Sequence, residues 1–83
     1  MLERPPSTPT AFGAMILELM RERRIADASE LGLERLDLRA LRRHFDGEEA
    51  RRRPRLVANV AAALGVTAEE RTRLMVAYMG SER

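Results

Sequence analysis

Apolar residues recur along this chain at helical spacing, and no segment shows the period-two alternation of a half-buried strand. The first stripe is Phe12, Met15, Ile16, Leu19 and Met20, followed by Arg21-Glu22-Arg23-Arg24. Thr8-Pro9 ahead of it reads as an N-cap with proline at the first helical position, and the closing arginines suit the negative end of a helix dipole. This predicts a first helix over residues 9–24. Asp27 is placed to cap a short second helix through Ala28, Glu30, Leu31 and Leu33. Gly32 then falls inside it at a cost of about 1 kcal/mol against alanine, which a close passage by another helix would explain. Asp37 caps a third helix that closes at Gly47, with Leu38, Leu41 and Phe45 as an i, i+3, i+7 stripe. At about 100° per residue, Arg39, Ala40 and Arg43 point most nearly away from that stripe, and Arg42 lies on its flank.

A polar loop follows, and Pro54 opens a fourth helix whose inner face is Leu56, Val57, Val60, Ala61 and Leu64. Gly65 is a natural stop. Thr67 and Glu70 have the spacing of a capping box, in which each side chain bonds the other's backbone N–H. The fifth helix buries Leu74, Tyr78 and Met75 and stops at Gly80. The expected fold is all-α, a compact five-helix domain over residues 9–80, with a loose leader (1–8) and a short tail (81–83).

Composition narrows the chemistry. Eighty-three residues allow one small domain, and the absence of cysteine removes disulfides and thiolate metal sites. The N-terminus has no long apolar run, so neither a signal peptide nor a membrane span is expected and the default location is the cytoplasm. The lone His44 is read as packing or a helix-dipole contact. Glu48-Glu49 and Glu69-Glu70 are sequence neighbours that diverge in space, and no glycine-rich phosphate loop or Ser/His/Asp set is present. No enzyme, metal or cofactor is expected. Met15, Met20, Met75 and Met79 are read as core or subunit contact.

Charge points elsewhere. Every one of the 15 basic residues is arginine, and residues 35–55 hold eight of them against four acids. That concentration is the footprint of a nucleic-acid binder. A short helix, a tight turn and a third helix with leucines behind and arginines in front form a unit that fits a major groove. Arg39 and Arg43, one turn apart, can each make two bonds to guanine O6 and N7, and Ala40 can touch a thymine methyl. Arg42, Arg51, Arg52, Arg53 and Arg55 fall nearer the phosphates.

The run Asp37-Leu38-Arg39-Ala40-Leu41-Arg42-Arg43-His44-Phe45-Asp46-Gly47, with Arg53-Pro54-Arg55-Leu56 and Val60-Ala61-Ala62-Ala63-Leu64-Gly65-Val66-Thr67, resembles the recognition and fourth helices of the lambda-repressor/Cro (XRE) helix-turn-helix family. Thr67 to Leu74 is similar to that family's fifth-helix opening. The resemblance covers about residues 11–80. It implies a nucleoid-associated, sequence-specific regulator of transcription that binds double-stranded DNA as a homodimer. It places base reading on Leu38, Arg39, Ala40 and Arg43, and phosphate contacts around Arg53 and Arg55. The family's second helix opens with a phosphate-bonding glutamine. Here Ala26-Asp27-Ala28-Ser29 stands there, leaving Ser29 as the substitute. The fifth helix, through Met75, Tyr78 and Met79, is the expected self-contact. The alternative is a helix-turn-helix scaffold turned to protein interaction, as in an antitoxin or anti-regulator subunit, with Phe12, Met15 or the fifth-helix methionines exposed and Glu48-Glu49 facing the partner.

Overall fold

A computed structural model describes residues 8–48, 53 and 55–80, and among them every regular element is helical. In chain order these are α1 (Ala11–Glu22), a 3-10 turn (Ala28–Leu31), α2 (Arg35–Phe45), α3 (Leu56–Leu64) and α4 (Ala68–Gly80). The all-α expectation is met with four α-helices rather than five, because the second predicted helix is only a four-residue 3-10 turn. The predicted third helix is therefore α2. Most of the expected leader, the tail, Pro54, Arg51 and Arg52 lie outside the described residues.

Local chemistry explains why the second element stays short. Asp27 and Glu30 close its start reciprocally, and Gly32 ends it at φ 69°. A Cβ on Gly32 would meet nothing within 4 Å, so the glycine serves a left-handed turn rather than a close helix passage. The cap of α1 also moves. Thr10, not Thr8, accepts from Gly13 N–H at 3.0 Å, and the helix begins at Ala11.

Three helices end in one motif, a left-handed residue flanked by 6→1 and 5→2 backbone bonds. Ile25 N–H reaches Met20 O and Arg24 N–H reaches Arg21 O after α1. Glu48 reaches Arg43 and Gly47 reaches His44 after α2, and Val66 reaches Ala61 and Gly65 reaches Ala62 after α3. The left-handed residues are Arg24, Gly47 and Gly65, so the sequence signals this ending at the two glycines but not at the arginine. The Thr67–Glu70 box opens α4 as expected, with Thr67 N–H to Glu70 Oε1 at 2.9 Å and Glu70 N–H to Thr67 Oγ1 at 3.2 Å.

The core joins Phe12, Ile16, Leu19 and Met20 of α1 to Leu41 of α2, Leu56, Val60 and Leu64 of α3, and Leu74 and Tyr78 of α4. Met75, expected inside, is exposed. Helices α1 and α2 approach closely at Gly13, where a Cβ would lie 2.5 Å from His44 O. Arg23 fastens the other end. Its Nε donates to Leu64 O at 2.8 Å and its Nη2 to Glu70 Oε1 at 3.4 Å, tying α1 to the end of α3 and the start of α4. The Thr67 backbone bond, followed by the charge of Arg23, holds the Glu70 carboxyl below its ordinary range.

Candidate nucleic-acid interface

Helix α2 carries the densest charge, and its orientation decides which arginines face outward. Its buried positions are Asp37, Ala40, Leu41 and His44, an i, i+3, i+4, i+7 stripe. Leu38 and Phe45 are half-buried at its margin. The buried face is thus turned by roughly 80° from the Leu38–Leu41–Phe45 stripe read from the sequence. Two polar residues cause the turn, and both are satisfied inside.

Asp37 does not cap the helix. It lies in the first turn of α2 with its carboxylate buried, accepting from Arg53 Nε on Oδ1 at 2.8 Å and from Asn59 Nδ2 on Oδ2 at 2.8 Å. His44 is buried with its Nδ1 2.8 Å from Thr10 Oγ1, edge-on to Phe12 at 5.2 Å between ring centres. Tyr78 completes the group, 5.0 Å from Phe12 and 5.6 Å from His44. One aromatic cluster thereby joins α1, α2 and α4. His44 is a packing residue, buried at the centre of this cluster.

The consequences for the candidate site are specific. Ala40 is buried and cannot touch a base, because the Asp37 and His44 contacts rotate it inward. Leu38 packs against the core margin rather than projecting outward. Arg53 is not a free phosphate clamp. Its guanidinium is tied to Asp37, and the Tyr78 hydroxyl accepts from its backbone N–H at 2.8 Å while donating to its carbonyl at 3.4 Å. The residue is instead a brace, its side chain bonded to Asp37 of α2 and its backbone to Tyr78 of α4. Asn59, Tyr78 and Asp37 complete this brace, and no local sequence signal connects them.

What remains exposed on α2 is a face of Arg35, Leu36, Arg39, Arg42 and Arg43, opposite the buried stripe. Arg42 moves from flank to centre of this face, and Arg35 joins it. Arg55 is exposed at the N-terminus of α3, which has no side-chain cap. Ser29 is exposed, but its hydroxyl and N–H both donate to Asp27 Oδ2. These bonds, the hydroxyl's first, and then the charge of Arg42 hold the Asp27 carboxyl below its ordinary range.

Among the described residues no group of three or more His, Cys, Asp or Glu is placed to hold a metal ion, and no helix is long and apolar enough to cross a membrane. No family model, curated protein or solved structure matches this chain.

Proposed function

We propose that this chain is a sequence-specific, double-stranded DNA-binding regulator that lays the outward face of α2 in a major groove. The observation that carries the proposal is the segregation of α2, with four arginines on one side and a fully packed stripe on the other. A helix can enter the groove only if its back is spoken for by the domain and its front offers donors to base edges. Arg39 and Arg42, three residues apart on that face, are the proposed base readers, with Arg43 beside them. Arg35 and Arg55 take phosphates, Arg55 at an uncapped helix start whose backbone N–H groups favour an anion. The likeness to lambda-repressor/Cro domains agrees with this assignment for Arg39 and Arg43.

The test is a mobility shift on duplexes selected from a random pool, repeated at two salt concentrations. Each phosphate neutralised contributes about −0.9 to the log–log salt slope. Arg39→Ala and Arg42→Ala are each expected to cost about 1–3 kcal/mol on the selected site and to relax choice at defined base pairs. If both variants bind the selected duplex as the parent does, α2 is not the reading helix.

A second contact is favoured by a specific feature. Met75, Val76 and Met79 are 49%, 66% and 64% exposed on one side of α4, and Ala68 and Thr72 continue that side without charge. Such a stripe marks an association surface. The proposed occupant is a second copy, which would present two α2 helices to a two-fold site. Val76→Glu is then expected to halve the mass measured by light scattering. A wild-type protein that is already monomeric at high concentration, and that retains one foreign protein in stoichiometric amount, would favour the protein-interaction alternative.

A further inference from the structure

Two of the four outward arginines of α2 already have anionic partners. Arg42 Nη2 donates to Asp27 Oδ2 at 3.4 Å, and Arg43 Nε donates to Glu48 Oε2 at 3.4 Å. The acids come from opposite ends of the unit, one before the 3-10 turn and one just after α2. Arg35 and Arg39 make no ion pair among the described residues.

Both acids are held in position. Asp27 caps the 3-10 turn, and its own N–H donates to Glu30 Oε2 at 2.9 Å. The Ser29 bonds hold its carboxyl below the ordinary carboxylate range, so it is ionised at neutral pH. Glu48 is fixed through its N–H, which bonds Arg43 O at 2.9 Å beside the left-handed Gly47. The pairs themselves are weak. The four side chains are 53–57% exposed, so water competes for every bond and the pairs open readily for another acceptor.

We propose that Asp27 and Glu48 are specificity determinants, which occupy Arg42 and Arg43 in the free protein and penalise contact with phosphate more than contact with a base edge. The proposal rests on the DNA-binding function above. Non-specific affinity comes almost wholly from arginines neutralising phosphates and releasing counterions. An arginine already paired to a carboxylate contributes less of that gain, and an approaching phosphate meets the carboxylate's like charge. Guanine O6 and N7 are neutral acceptors and escape that repulsion. The acids therefore lower binding to random duplex more than binding to a matched site, and the ratio between the two rises. This also assigns a role to the acid that stands where the resembling family carries glutamine.

The experiment compares the parent with Asp27→Asn, Glu48→Gln and the double variant. Asparagine caps a helical turn as well as aspartate, so the turn is kept. Fluorescence anisotropy is read with a selected duplex and with a random duplex across a salt series. Each single variant is expected to steepen the random-duplex salt slope by about 0.9, and the double variant by about twice that. The double variant is expected to bind random duplex about tenfold more tightly at low salt, while the selected-to-random ratio falls. Unchanged slopes with an unchanged ratio overturn the proposal and leave the DNA-binding function intact. If neither parent nor variants retain any duplex in a salt-dependent way, both fall together.

Discussion

Arg53→Met is expected to unfold this domain at a much lower temperature rather than merely to weaken its grip on an anion. The methionine keeps most of the side-chain length and removes the guanidinium. Asp37, 2% exposed in the parent, is then left with Asn59 as its one remaining side-chain donor among the described residues. Breaking a buried ion pair from one side costs about 3–5 kcal/mol because the surviving charge stays out of water. Arg53 itself is about one-third exposed, which lets water reach the gap and argues for the lower end, about 3 kcal/mol. For a domain of this size that corresponds to a fall in melting temperature of roughly 12–24 °C. Pairing the change with Asp37→Asn removes the stranded charge and should recover much of the loss, so the two substitutions should be strongly non-additive. A melting temperature for Arg53→Met within a few degrees of the parent would mean that the Asp37 contact contributes little and that Arg53 is available to DNA after all.

Gly13→Ala is the second large effect, and its sign opposes the usual one. In an ordinary helix interior this substitution stabilises by about 1 kcal/mol. Here the new methyl would sit 2.5 Å from His44 O, 2.7 Å from His44 C and 3.1 Å from Phe45 N. All three atoms are backbone, so no side chain can swing aside. Helices α1 and α2 would have to separate, loosening the Phe12–His44 ring contact and the Thr10 N–H bond to His44 O. A net loss of about 1–3 kcal/mol is expected, the usual cost of overpacking. Gly80→Ala is the control, because it is helical and has nothing within 4 Å of a built Cβ. It should be neutral or slightly stabilising. Chemical denaturation of both variants checks the contrast, and a Gly13→Ala protein as stable as Gly80→Ala would show that the crossing has room to spare.

These two positions also show where sequence patterning stops. Gly13 lies in the first turn of α1, just after the first residue of a clear apolar stripe, and carries no turn signal, so nothing local distinguishes it from a weak helix position. Asp37, an aspartate ahead of a leucine stripe, carries the local signature of a cap. Its true partners lie 16 and 22 residues further on. A polar Asp37 placed outside rotates the expected face of α2, which points Ala40 outward and Arg42 to the side. The outward placement of Arg39 and Arg43 is unaffected by that rotation because both lie far from either version of the buried stripe.

The sequence by itself determined the helical class, all four α-helices to within two or three residues, the Thr67–Glu70 cap, the endings at Gly47 and Gly65, and the concentration of arginine on and after α2. Each of these rests on interactions within a turn or two of chain, or on charge, which needs no coordinates. Tertiary structure alone decided which side of α2 is buried, that Arg53 braces α2 and α4, that Arg23 joins three helix ends, and that Arg42 and Arg43 face acids. Those outcomes depend on polar groups meeting across long sequence separations. A buried charge is tolerated only where its partner arrives, and the spacing of one helix says nothing of where that partner will come from.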